Sequence, residues 1–303
     1  MLEDNWCYTR YTEWGDWKNK LKKFENACQA KRLNSKKFQY FCTLNSLNHK
    51  MKKTVFVTGA TSGFGEAIAE IYAKNNFNII ISGRRTDRLN AVKCRLETDY
   101  KTNVLALNFD VRDKDAVFNA IENLPEEWQN IDILVNNAGL ALGASGIQDG
   151  DIDDWERMID TNVKGMLYVT KAVAPLMIKR NTGHIVNMGS TSSKETYPGG
   201  NVYCGTKHAV QGITDGIRQD LVKYGIKVTQ LCPGMADTEF SLVRFKGNKE
   251  SADNVYKGVT PLYAEDIAQV TFFVTSSLAA HVEIRDIVFS CQQQANAFVV
   301  CRN

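Results

Sequence analysis

From Thr54 onward the sequence alternates short β-branched or apolar runs with longer stretches of helical period, the alternation that signals βαβ units on a parallel sheet. The runs fall at Thr54–Thr58, Asn78–Ser82, Val104–Leu107, Ile131–Val135, His184–Met188 and Lys227–Cys232, with a weaker seventh at Asp286–Ser290. Helical periodicity fills residues near 64–75, 86–100, 113–123, 153–179, 202–224 and 264–276. The series predicts one α/β domain over 51–303, a doubly wound parallel sheet of about seven strands flanked by helices.

Residues 1–50 break from this pattern. They are rich in Lys, Asn, Trp and Tyr, carry ten Lys or Arg against five Asp or Glu, and show no sustained period, so they read as an N-terminal extension outside the fold. Trp17 to Phe24 reads either as a short basic amphipathic helix or as a solvated tail. Met51-Lys52-Lys53 ahead of the first strand would itself make a natural chain start, which marks the extension as a candidate non-native segment. The whole-chain net charge of +3 comes from this segment, the remainder being slightly acidic, and no nucleic-acid partner is expected. No run of about 20 apolar residues and no signal-peptide pattern occurs, so a cytoplasmic protein without membrane association is expected. The eight cysteines lack paired or His-matched spacing, which argues for reduced thiols rather than a metal site or a disulfide framework.

The first strand runs into Thr58-Gly59-Ala60-Thr61-Ser62-Gly63-Phe64-Gly65 and then a helical pattern. Glycines there let the backbone turn and approach a pyrophosphate, whose charge is favoured by the free N–H groups of a helix start. The contact set expected from this loop is Gly59, Thr61, Ser62, Gly63, Phe64 and Gly65. The second strand ends Ser82-Gly83-Arg84-Arg85, with no carboxylate to accept from ribose hydroxyls. Arg84 and Arg85 either clamp the extra phosphate of NADP or are solvated loop residues; the former makes NADP the cofactor. Asp110-Val111 follows the third strand, where Asp110 either reaches the adenine amino group or caps a helix. Asn137, Ala138 and Gly139 follow the fourth, small enough to admit a cofactor backbone, with amides for ribose or for fixing the strand end.

Ser190 follows the fifth strand, and thirteen positions later Tyr203 and Lys207 stand at i, i+4 near the start of a long helical pattern. A free tyrosine titrates near 10, but an adjacent ammonium and an oxidised nicotinamide ring both favour the phenolate, which makes Tyr203 a general acid and base. Lys207 would also bond the nicotinamide ribose, and Ser190 would donate to the substrate oxygen as charge develops there. Asn162, unfavourable inside a helical pattern, is expected to bend the helix and hold a water behind Lys207. His208 is expected to be a packing or subunit-contact residue rather than a base.

Taken in order, Gly59-x-x-x-Gly63-x-Gly65, Asn136-Asn137-Ala138-Gly139, Asn162, Ser190 and Tyr203-x-x-x-Lys207 resemble the short-chain dehydrogenase/reductase family over about residues 50–303. The resemblance implies a Rossmann fold, an Asn-Ser-Tyr-Lys catalytic set, hydride transfer at the nicotinamide and a homotetramer. Gly199-Gly200-Asn201-Val202-Tyr203 and Thr238-Glu239-Phe240 further resemble the NADP-dependent 3-hydroxy acid dehydrogenases, also called serine or allo-threonine dehydrogenases. Cofactor contacts from Pro233, Gly234 and Thr238 belong to the same expectation, although the loop Pro233 to Thr238 is one residue shorter than that subgroup's. The small hydroxy acid such a protein takes needs a cation for its carboxylate, and Arg244 in the expected substrate lid supplies a planar guanidinium, if it is not a surface residue. Two other functions stay open: a broad NADPH carbonyl reductase for quinones, ketosteroids or aldehydes, and a non-catalytic nucleotide-sensing scaffold.

Overall fold

The structure is a computed structural model and describes residues 52–303. The expected extension, with its Trp17 to Phe24 segment, lies outside the described residues. Seven strands, β1 Thr54–Thr58, β2 Asn78–Gly83, β3 Val104–Asn108, β4 Ile131–Asn136, β5 Gly183–Met188, β6 Ile226–Pro233 and β7 Asp286–Phe289, form one sheet in the order β3-β2-β1-β4-β5-β6-β7. Every pairing is parallel. The strands match the expected runs to within a residue or so at either end, and the central ones are buried on both faces, as strands covered by two helical layers must be.

That burial is visible residue by residue. Val55, Val57, Ile79, Ile81, Val135 and Val186 pack on one face against α1 (Gly63–Lys74), α2 (Thr86–Tyr100) and α9 (Ala264–Ser276). Their neighbours Phe56, Ile80, Leu134 and Ile185 pack on the other against α3 (Lys114–Glu122), α5 (Met166–Arg180) and α6 (Asn201–Leu221). The two-residue period of a strand, filled with large apolar side chains throughout, thus builds both cores at once.

Three features differ from the expectation. The long helix expected over 153–179 is three pieces: α4 (Ile152–Ile159), a π-helical turn at Asp160–Gly165, and α5. The widened π-helical turn contains Asn162. Asp110 does not cap α3; Asp113 does, accepting from the Ala116 amide. Two short helices, α7 (Glu239–Arg244) and α8 (Lys249–Tyr256), fold the segment after β6 over the end of the sheet. With β2 on one side of β1 and β4 on the other, the direction in which successive strands are added reverses between β1 and β4, and the crevice at their C-terminal ends is where this class of sheet takes its ligand.

Candidate active site

A cleft of about 630 Å³ opens at that crevice. Its floor is the turn after β1. Gly59 has φ of +67°, a backbone region that L side chains rarely adopt. Gly65 faces the Gly59 carbonyl so closely that an added Cβ would lie 2.4 Å from that oxygen and 2.5 Å from Asn137 Nδ2. Asn137 Nδ2 itself donates to the carbonyls of Thr58 (2.9 Å) and Gly59 (3.2 Å), while Thr58 Oγ1 accepts from the amides of Asn137 and Ala138 at 3.0 Å each. Of the two accounts of Asn137, its side chain follows the second: it fixes the glycine turn to the end of β4.

The turn therefore has no slack. Gly65→Ala is expected to destabilise the chain by about 1–3 kcal/mol, since backbone must move to admit the methyl, which lowers the melting temperature by roughly 2–10 °C in a domain of this size. Calorimetry showing an unchanged melting temperature would contradict it.

The groups lining the cleft suit a dinucleotide. Ser82 Oγ and Thr161 Oγ1 line it, are buried, and have no protein partner among the described residues. Buried hydroxyls of that kind call for a partner. Thr61, Ser62, Gly63, Phe64, Asp110, Val111, Ala138, Gly139, Pro233, Gly234 and Thr238 also face it, each at a position where the sequence placed a cofactor contact. At the β2 tip Arg85 donates through Nε and Nη2 to Thr61 Oγ1 (3.2 and 2.9 Å) and through Nη2 to Ser62 Oγ (2.7 Å). Arg84 reaches Asp110 at 3.5 Å, and Arg112 holds that carboxylate through Nε and Nη2. Although partial burial works against it, the pairing with Arg112 keeps Asp110 below the usual carboxylate range. Both β2-tip arginines line the cleft with their side chains about half exposed.

Ser190, Tyr203 and Lys207 converge on the opposite wall. Ser190 follows β5 in extended conformation, and its Oγ accepts from the Ser192 amide at 3.1 Å, which leaves its own proton for another oxygen. Tyr203 is buried near the start of α6, its ring edge-on to Phe240 at 5.8 Å. Burial pushes the phenol up from its ordinary value, while the Ser190 hydroxyl and the Arg244 guanidinium pull it down.

Lys207 lies on the same face but is not bonded to Tyr203. Its Nζ is 5.9 Å from the ring centroid and donates to the Met188 carbonyl at 2.8 Å. Burial lowers it to about 8, which leaves the ammonium in the majority at neutral pH. The i, i+4 spacing thus puts the two on one face without a hydrogen bond between them, and the Ser190 hydroxyl and Arg244 guanidinium also favour the phenolate. Asn162 is buried behind this wall, with Oδ1 accepting from the Leu140 amide (2.8 Å) and Nδ2 donating to the Leu140 carbonyl (2.8 Å) and Thr206 Oγ1 (3.0 Å). Its side chain ties the loop after β4 to α6. His208 is exposed, with Nδ1 2.9 Å from the Cys204 carbonyl, and does not line the cleft.

Helix α7 closes the site from above, and Arg244 is its last residue. Its Nε donates to the Gly143 carbonyl (3.0 Å) and Nη1 to the Tyr197 hydroxyl (2.9 Å), and the guanidinium carbon lies 5.4 Å from the Tyr197 ring and 6.0 Å from that of Tyr203. Arg244 is therefore a cleft residue. Tyr197 and Gln294 were not foreseen. Tyr197 sits in a Pro-Gly-Gly loop where no period marks it, although an aromatic six residues before Tyr203 was a usable signal. Gln294 reaches the cleft from the C-terminal segment, where its Oε1 accepts from the Met235 amide at 2.8 Å.

A phosphate cradle on this sheet, faced by a serine, a buried tyrosine and a buried lysine, defines an oxidoreductase that works with a dinucleotide. The chain belongs to the short chain dehydrogenase family, which it matches over residues 53–248. It is 46% identical to the NADP-dependent 3-hydroxy acid dehydrogenase YdfG of Salmonella typhi over 234 residues, covering 77% of this chain and 92% of that one. It is 43% identical to the serine 3-dehydrogenase of Agrobacterium fabrum, covering 78% and 93%. Among solved structures, the closed form of serine dehydrogenase complexed with NADP+ superposes with a TM-score of 0.77 at 41% identity, over 82% of this chain and 99% of the other.

Proposed function

We propose that the protein is an NADP-dependent dehydrogenase that reversibly oxidises the 3-hydroxyl of small 3-hydroxy acids, such as L-serine, L-allo-threonine and 3-hydroxypropionate. The similarity to enzymes named for these reactions supports the reaction class and the cofactor. The observation that carries the substrate class is Arg244, a guanidinium held against the Tyr203 ring inside the cleft, where it can bind a carboxylate while Tyr203 meets the neighbouring hydroxyl. The same proposal includes a homotetramer acting in the cytoplasm, in keeping with the family. Among the described residues no helix is long and apolar enough to cross a membrane.

The turn from Gly59 to Phe64 would hold the pyrophosphate, with Gly65 packed behind it on the Gly59 carbonyl rather than in the cleft, Arg84 and Arg85 the 2′-phosphate, and Asp110 and Val111 the adenine end. Bound NADP supplies the hydride acceptor. The chain's own residues handle the proton and the oxygen. Ser190 donates a hydrogen bond to the substrate oxygen, Tyr203 takes the hydroxyl proton, and the Lys207 ammonium, anchored on the Met188 carbonyl, keeps positive charge behind the phenol and toward the ribose. In reduction Tyr203 returns the proton to the oxygen.

The assay follows NADP reduction with the three hydroxy acids and NADPH oxidation with a panel of quinones, ketosteroids and aldehydes. Turnover of the acids at kcat/KM at least tenfold above the neutral carbonyls is expected. Activity confined to the neutral panel would make the protein a broad carbonyl reductase, and no activity in either would make it a scaffold.

A further inference from the structure

Helix α7 begins with a carboxylate that the proposed reaction does not use. Glu239 stands at the rim of the cofactor cleft and accepts from Arg88 Nη1 with both oxygens, at 2.7 and 2.9 Å. Its Oε2 also accepts from Arg85 Nη1 at 3.1 Å. Arg85 is anchored over the glycine turn by Thr61 and Ser62 through Nε and Nη2, so Nη1 is the donor it has left, and Glu239 holds it. Arg88, in the first turn of α2, does not line the cleft, and its side chain bonds only Glu239 among the described residues. Partial burial works against it, but the two guanidinium groups hold the Glu239 carboxyl below its usual range.

The side chains are about half exposed, at 43%, 51% and 43% for Arg85, Arg88 and Glu239, so neither ion pair is strong by itself. A carboxylate shared between two guanidinium groups can be drawn to one of them when another anion takes the other. A phosphate monoester is such an anion, carrying close to two charges and three acceptor oxygens.

We propose that Glu239 sets the preference for NADP over NAD by competing with the 2′-phosphate for Arg85, and that Arg88 is the counter-ion that draws the carboxylate away. The inference rests on the reading of the cleft as an NADP site. A phosphate at the β2 tip takes Arg85 Nη1, and Glu239 stays on Arg88 through both oxygens. Helix α7 then remains tied to α2 whichever anion Arg85 holds, and Arg244, five residues on, keeps its place over Tyr203. Glu239 thus weakens NADP and leaves NAD unaffected, while Arg88 strengthens NADP without touching it.

Equilibrium binding of NADP and NAD to the full chain, by calorimetry or tryptophan fluorescence, tests this directly. Glu239→Gln is expected to tighten NADP about threefold to tenfold and change NAD by less than about twofold. Arg88→Met is expected to weaken NADP by a similar factor in the parent chain, where Glu239 is left with Arg85 alone, and to have no effect in the Glu239→Gln background. An unchanged ratio of the two dissociation constants in Glu239→Gln would overturn the proposal. So would an equal loss from Arg88→Met in both backgrounds, since Arg88 would then act on the phosphate itself. A parent chain that binds NADP no more tightly than NAD would overturn the underlying reading as well, and is seen before any variant is made.

Discussion

Tyr203→Phe is expected to lower kcat for oxidation of a 3-hydroxy acid by about 10²–10⁴-fold while NADP binding changes by less than about threefold. The substitution removes one oxygen and leaves the ring, which is buried and packed edge-on against Phe240 at 5.8 Å, so the α6 face and the lid keep their contacts. What disappears is the one titratable group in the cleft that stands beside both the Ser190 hydroxyl and the Arg244 guanidinium. A base must be deprotonated to accept the hydroxyl proton, so parental kcat in the oxidative direction rises with pH until the phenol has ionised, and reduction shows the opposite slope. Burial raises that pKa; Ser190, Arg244 and the positive nicotinamide of the oxidised cofactor lower it. In Tyr203→Phe the slope vanishes with the rate. Turnover within tenfold of the parent, with the same pH profile, would remove Tyr203 from the chemistry.

How much of this the sequence reveals depends on whether a residue's role is local. The central strands are legible because each is a short run buried on both faces, a property of the run itself, as at Ile79-Ile80-Ile81, where the outer and middle residues enter different cores; the edge strand β7, half exposed, is correspondingly the weakest in the sequence. The glycine turn is legible for the same reason: Gly59 and Gly65 are required by backbone geometry within seven residues. Roles that depend on distant partners are not. Asn162 was recognisable as an oddity in a helical pattern, but its partners, Leu140 and Thr206, are 22 and 44 positions away. Lys207 is correctly placed on the Tyr203 face by i, i+4 spacing, yet spacing could not show that the Met188 carbonyl holds its ammonium. Helices α7 and α8 carry only a few apolar residues and owe their position to anchors such as Lys246 on Asp154 (2.8 Å) and Tyr256 on the Ala236 carbonyl (2.7 Å). Without those anchors the segment has little periodicity to read.

Arg244→Ala is the second large effect, expected as a rise of about 10–100-fold in KM for hydroxy acids, the size of a charge-assisted hydrogen bond lost from a carboxylate. The guanidinium is already oriented: Nε on Gly143, Nη1 on Tyr197, and its plane near the Tyr197 and Tyr203 rings. Its Nη2 has no protein partner among the described residues, so N–H donors remain for a ligand. A bound carboxylate therefore meets a donor whose ordering is complete before it arrives, and little side-chain entropy is lost on binding. Loss of the guanidinium also removes a charge that lowers the Tyr203 pKa, so the rising limb of the oxidative profile moves to higher pH for every substrate. The two effects separate in a ratio. Comparing a hydroxy acid with an uncharged secondary alcohol at one pH cancels the shift in Tyr203 and leaves the carboxylate contact, which is expected to lower the kcat/KM ratio by most of the 10–100-fold loss. Arg244→Lys keeps a charge but not the fork and is expected to fall between the two. An equal loss on both substrates would make Arg244 a strut of the lid, and the acid preference would then have to come from another group in the cleft.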